Sequence, residues 1–308
     1  MLSRLKLLTI EIEDAKGDIK ESLPISLLVE DLSMNPGTEF TSRMGHGRYA
    51  GYNEKGVLGL LVGNCSFRAE LRSNGINGLH AGISALLQAC GAELDSTYTL
   101  PTTALSDQRT VTLTVFEDGL KKVTFGAMGN CTLEGTTGER VFLNFEMQGC
   151  YAEEAWAVDA PMGSADVGSA LPMIFRNGTF TIDTNKKRIG SVNLDFGAQV
   201  VQTSDLNAES GVAFFQITEF EPTISIDPEA ELVDNEDYYG DWLAMNENAA
   251  ALGFTDGDVN VDIAIGKLQY QDIATGDRNG IFIHDINAQC NNTSGTAITI
   301  TASAAGGS

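Results

Sequence analysis

The chain has 308 residues, 43% of them hydrophobic, and sets 19 Lys and Arg against 42 Asp and Glu for a net charge of −23. That balance argues against nucleic-acid binding, which needs cations to displace phosphate counterions, and no run approaches the 18 or so apolar residues of a membrane span. The length suits about two domains, and 33 glycines fit the many turns of an all-β chain.

The opening MLSRLKLLTIEIED turns acidic early and lacks the features of a signal peptide, so a product made and assembled in the cytoplasm is expected. Leu5–Glu13 alternates into a strand, Ala15–Asp18 reads as a turn, and Leu23–Leu32 as a second strand. Residues 33–56 have no period and read as a loop long enough to be functional. Val57–Arg72 reads as one long strand bent near Gly63. Asn77 is placed to cap a helix from Gly78 to about Ala89, with Leu79, Ile83, Leu86, Leu87 and Cys90 on its buried stripe and Gly91 at its stop. His80 falls one residue off that stripe, which predicts a surface position. Thr110–Glu117 and Leu120–Met128 form a hairpin. Tyr151–Gly168, rich in small residues and acids, reads as a linker.

The second half repeats the order. Thr179–Asp183 and Ile189–Val200 are strands, 202–211 a shorter loop, and Val212–Ile226 a long strand. Asp237 is placed to cap a helix to about Ala251, with Trp242, Met245, Ala249 and Leu252 on one face. Asp258–Tyr270 is a strand and Ala297–Ala302 a last strand or arm. The repeat is plainest in GNCTLEGTTGERVFLNFEMQGC, ending at Cys150, against GKLQYQDIATGDRNGIFIHDINAQC, ending at Cys290. Thr137–Arg140 matches Thr275–Arg278 as a turn, and Phe142 and Cys150 match Phe282 and Cys290. Phe145 then falls opposite Asp285, which predicts a bulge or a changed face. The expected organisation is a first domain over 1–151, a linker over 152–170 and a second domain over 171–308.

The charge is uneven: residues 1–150 hold 13 Lys and Arg against 18 Asp and Glu, net −5, and residues 151–308 hold 6 against 24, net −18. The five cysteines form no CxxC pair and His46, His80 and His284 are scattered, so buried free thiols are expected, with no metal site. Asp256–Asp262 starts like a calcium loop but has Val261 and Lys267 where Gly and Glu are required, which favours a strand. No nucleotide, nucleophile or metalloprotease motif is present; neither an enzyme nor a cofactor is expected.

The segment GSVNLDFGAQVV…GVAFFQITEFEPTISIDPEAEL is similar to the tail tube proteins of long-tailed bacteriophages, through Ser191–Gly197 and Pro222–Glu229. Phe116–Tyr151 resembles the closing hairpins of the same family. The resemblance implies a mainly β fold of two tandem β-sandwich or half-barrel tube domains, each flanked by one α-helix. It implies a virion tail subunit whose inner sheets join into a channel for DNA, passing without tight binding. The implied partners are the chain itself, as a trimeric pseudo-hexameric ring stacked into a tube, and the tape-measure, terminator and distal tail proteins. Lumen-facing acids are expected among Glu134, Glu139, Glu146, Glu219, Glu221, Asp272, Asp277 and Asp285. Contacts to the next ring are expected from the loop through Asn35, Arg43, His46, Arg48, Tyr49 and Tyr52. The alternative is a two-domain β-sandwich virion adaptor or a glycan-binding decoration protein, although neither Trp156 nor Trp242 sits in an obvious loop tip.

Overall fold

Runs that alternate apolar with polar residues put one face of each strand in oil and the other in water, and such runs fill this chain. A computed structural model describes residues 6–38, 40–45, 51–102, 104–151, 157–158, 164, 170–234 and 236–305. The fold is mainly antiparallel β. The first half comprises β1 (Lys6–Ile12), β2 (Ile25–Leu27), β3 (Val29–Pro36), β4 (Phe40–Gly45), β5 (Tyr52–Leu58), β6 (Val62–Glu70), α1 (Ala81–Ala89), β7 (Glu93–Leu94), β8 (Tyr98–Leu100), β9 (Val111–Glu117), β10 (Leu120–Thr136) and β11 (Phe142–Cys150). β12 (Ala157–Val158) lies in the connection, most of which falls outside the described residues. The second half comprises β13 (Thr179–Ile182), β14 (Asn185–Lys186), β15 (Ser191–Asp195), β16 (Ala198–Ser204), β17 (Val212–Phe220), β18 (Thr223–Ile226), α2 (Tyr238–Ala244), β19 (Asn248–Thr255), β20 (Val259–Arg278), β21 (Ile281–Asn291) and β22 (Ile298–Ala304).

The pairing scheme occurs twice. In the first half β1 pairs β9, β9 pairs β10, β10 pairs β11, β11 pairs β6 and β6 pairs β3. In the second, β13 pairs β19, β19 pairs β20, β20 pairs β21, β21 pairs β18 and β18 pairs β15. Two seams join the halves: β10 to β15, and β22 to β8. The sheet curls toward a barrel, but followed pair by pair the ladders branch and never return on themselves. Among the described residues β3 therefore keeps one edge without a strand partner, as does the far end of β20. One apolar face, including Phe67, Phe145, Leu133, Leu194, Ile226 and Ile286, runs through both halves into a single core. α1 lies against β1, β2, β9 and β10, and buries Ile83, Leu86 and Leu87.

Several expectations need correction. Residues 33–56 are not a loop: β3 continues to Pro36, and β4 and β5 form a hairpin of their own. Both faces of that hairpin are exposed, so its strands carry no period-two burial signal. Its aromatics cover its glycines instead; a Cβ on Gly56 would come within 2.1 Å of the Phe40 ring. The long strand expected over 57–72 is interrupted between Leu58 and Val62. The 189–200 strand breaks at Gly197 (φ +63°), and the 212–226 strand at Pro222, which has no N–H to donate to a ladder. Helix α1 begins later than expected. Its cap is His80, whose Nδ1 accepts from the Gly82 N–H at 3.2 Å, and His80 is buried rather than on the surface. Asn77 caps nothing; Asn74 serves the turn before the helix, accepting from the N–H groups of Ile76, Asn77 and Gly78.

Asp237 caps α2 as expected, accepting from the Gly240 N–H at 2.8 Å, but the helix stops at Ala244 because Met245 is left-handed (φ +56°). Ala249 and Leu252 belong to β19. Thr275–Arg278 is strand, not turn; the reversal falls on Asn279 and Gly280, both at positive φ, the pair that a two-residue hairpin favours. The sequence match of Phe145 with Asp285 is off by one. Phe145 and Ile286 are buried while Asp285 is exposed, so the inward face of β21 falls on even-numbered residues and that of β11 on odd ones; each half also carries one register shift, at Phe125/Met128 in β10 and Tyr270/Asp272 in β20.

All five cysteines are buried and unbridged. Burial pushes the Cys65 and Cys290 thiols up to about 12 and that of Cys150 up to about 11. The buried Glu13 carboxylate accepts four hydrogen bonds. Gly126 N–H (2.6 Å) and Thr112 Oγ1 (2.9 Å) donate to one oxygen; Gly17 N–H (2.8 Å) and Thr110 Oγ1 (2.6 Å) donate to the other. Burial nonetheless outweighs these donors and raises its pKa.

Candidate assembly face

The seam between β10 and β15 makes one sheet of eight strands, ordered β3, β6, β11, β10, β15, β18, β21, β20. A single row of opposed residues crosses it: Glu30, Arg68, Asn144, Thr132, Asp195, Thr223, Gln289 and Gln269. Each is polar because alternation turns the apolar neighbours of each row inward. The outer face is thus a field of Asn, Gln, Ser and Thr, with acids set into it.

Of the acids expected to share a surface, Glu134, Glu146, Asp272 and Asp285 do lie on this face, exposed. Among the described residues none of the four is in an ion pair. Glu134 and Asp285 come from different halves and line one depression of about 300 Å³. The other expected acids lie elsewhere. Glu139 sits in the β10–β11 turn. Asp277 falls on the opposite parity, with its carboxylate accepting from the Gly280 N–H at 3.1 Å. Glu219 lies in β17 and Glu221 in the link to β18, outside the eight strands. Glu30 and Asp195 join the face although not singled out from the sequence; the alternation in Ser191–Asp195 carried that signal. The cations on the face are already held: Arg68 by Glu30 (2.8 Å) and Asp31 (3.0 Å), Lys267 by Glu247 (2.7 Å), and Arg278 by Asp227 (3.0 Å) and Glu229 (3.1 Å).

Of the residues expected to contact a second ring, Asn35 lies in β3 opposite Asn64, Arg43 opposite Glu54, and Tyr52 opposite Gly45. His46, Arg48 and Tyr49 lie outside the described residues.

The two hairpins differ in what covers them. β16–β17 folds back over β10 and β11 of the first half, where Val212, Phe215 and Ile217 form a small core with Met128 and Cys150. The Gln108 amide completes its edge, donating to Ile217 O (2.7 Å) and accepting from Ile217 N–H (3.2 Å). The corresponding hairpin, β4–β5, has no such cover: Phe215 is 4% exposed and Phe40 66%. The open sheet edges are guarded by side chains. Lys6 Nζ donates to Leu32 O (2.9 Å) on β3, and Trp242 Nε1 donates to Gln271 O (3.1 Å) on β20.

Among the described residues no helix is long and apolar enough to cross a membrane, and no cluster of three or more potential metal-ligating acids, histidines and cysteines occurs. No protein-family model matches the chain, and comparison with curated proteins finds no match either.

Proposed function

We propose that the protein is a structural subunit of a phage tail tube: three chains close into a ring, rings stack, and the eight-stranded sheets line a channel for DNA. One observation carries this reading. The edges joined inside the chain, β10 and β15, are the repeat equivalents of the two edges left open, β20 and β3. A chain that satisfies one such seam internally offers the same seam head-to-tail to its neighbours, and a head-to-tail contact closes into a ring when the rotation per subunit fits. Closure also removes exposed strand edges, which otherwise invite uncontrolled pairing. Two repeats per chain give three chains a pseudo-sixfold wall.

The polar, acid-studded face suits the lumen. A cationic wall would bind DNA through counterion release; a wall of amides, hydroxyls and unpaired carboxylates offers phosphates no cation to release those counterions. The tape-measure, terminator and distal tail proteins are the partners this role requires, and the virion tail is the location. Electron microscopy of the purified full-length chain tests the reading. Rings of three chains, or tubes built from them, are the expected result. Rings of six full-length chains would overturn the three-chain ring, and monomers at every concentration would overturn the tube and favour a two-domain virion adaptor or glycan-binding decoration protein.

A further inference from the structure

We infer that the β4–β5 hairpin docks on the second half of a neighbouring chain in the same ring, as β16–β17 docks on the first half within the chain. This rests on the ring reading above and names the surface that closes it. The floor beneath β16–β17 is built from the start of β6 (Val62), from β10 (Met128) and from the end of β11 (Cys150). The same strand positions in the second half are the start of β18, the bulged part of β20 and the end of β21. They line an open cleft of about 480 Å³, walled by Phe220, Pro222, Thr223, Gln271, Cys290 and Asn291. The site that is filled in the first half is empty at its repeat equivalent.

The matching hairpin is unburied to the same degree. Phe40, Met44, Val57 and Leu58 are 66, 63, 52 and 64% exposed, a cluster of apolar groups that a lone soluble chain rarely displays. Trp242, Leu243 and Met245 are likewise exposed on and just after α2, whose Trp242 touches Gln271 at the cleft. Charge agrees with the pairing. Residues 40–58 hold Arg43, Arg48 and Lys55 against Glu54, net +2, on a chain whose second half is net −18. The geometry is also self-consistent. β16–β17 covers β10 because it follows β15, which pairs with β10; β4–β5 follows β3, which would pair with the neighbour's β20.

The test places a photocrosslinking benzoylphenylalanine at Leu58, which is exposed, in full-length protein. Equal parts of isotope-labelled and unlabelled chains are mixed before assembly. Crosslinks between labelled and unlabelled chains, from residue 58 to 220–223 or 289–292 in isolated single rings, are the expected result. A Leu58→Asp chain should keep the thermal midpoint of the monomer and assemble roughly tenfold less well, the order of one lost apolar contact. Rings whose crosslinks run to other segments, or only to a stacked ring, would overturn the docking site and leave the tube reading standing. A chain that never leaves the monomer would overturn both.

Discussion

Leu133 on β10 and Leu194 on β15 stand opposite each other in the ladder that joins the two halves, and both are fully buried. Their side chains belong to the core that runs unbroken from one half to the other. Truncating either to Ala should destabilise the monomer by about 2–5 kcal/mol, through lost transfer energy plus the cavity left behind. The double variant should fall short of the sum, because the two share one space. Calorimetry of the native chain should then show one transition. Two well-separated transitions would mean that the halves fold independently and the seam is incidental.

Glu13 offers a sharper local test. Each of its oxygens accepts one backbone N–H, from Gly126 or Gly17, and one threonine hydroxyl. In Glu13→Gln the new NH₂ must face one of those N–H groups whichever way the amide turns, and a backbone N–H cannot reverse. A loss of about 1–3 kcal/mol is expected from the stranded donor. The native Glu13 is raised above its ordinary value of 4.5 by burial. Its contribution is therefore complete below that value and is lost as pH rises through the raised one. The difference between native and variant stability should shrink over that interval in chemical denaturation.

Glu70 and Glu117 work with the opposite sign. Burial pushes both carboxyls up, but Arg72 and Arg140 outweigh it at Glu70, and Lys122 and Lys6 outweigh it at Glu117, so both lie below 4.5. Their stabilisation is present above pH 4.5 and is lost as pH falls through the lowered values. Glu70→Gln and Glu117→Gln should each flatten the acid limb of the stability curve while lowering stability at neutral pH. An unchanged acid limb would show that other groups drive acid unfolding.

Glu134, Glu146, Asp272 and Asp285 share the polar face without an ion pair among the described residues. Changing all four to Lys should leave the fold intact and create DNA binding whose affinity falls steeply with salt, by about 0.9 log unit per log unit of salt for each phosphate engaged. The native protein should show no retention of duplex DNA at about 0.15 M salt, where screening acts over roughly 8 Å. Retention of DNA by the native chain would remove the case for a non-adhesive face.

How much of this could be read from residues alone varied with burial. Strands with one face in the core, such as Leu143–Met147, declared themselves by alternation. β4 and β5 did not, because Phe40, Met44, Val57 and Leu58 are exposed and nothing inside the chain imposes a period on them. The length of α2 is ambiguous in sequence because Leu252 fits a helical stripe from Trp242 and also the alternation of Ala250, Leu252 and Phe254; a left-handed Met245 decides between them. The face acids were only partly legible. Glu134 and Glu146 lie on plainly alternating strands. Placing Asp272 on the same face as Gln269 needed the bulge after Tyr270, and no composition or spacing signals a bulge; Asp277, five residues further on, falls on the other face by alternation alone.

That bulge and its counterpart in β10 have a mechanical consequence. β10 and β20, at 17 and 20 residues, each pair one strand along their first part (β9 and β19) and another along their last (β11 and β21), and so tie two layers of their half together while spanning roughly 60 Å at about 3.3 Å per residue. A load that tries to slide one layer over the other pulls on covalent backbone rather than on ladder hydrogen bonds, which yield singly. The layers of each half thus flex as a laminated beam with glued plies. A nick in the chain between Phe125 and Met128 would leave every ladder pair in place and let the plies slip.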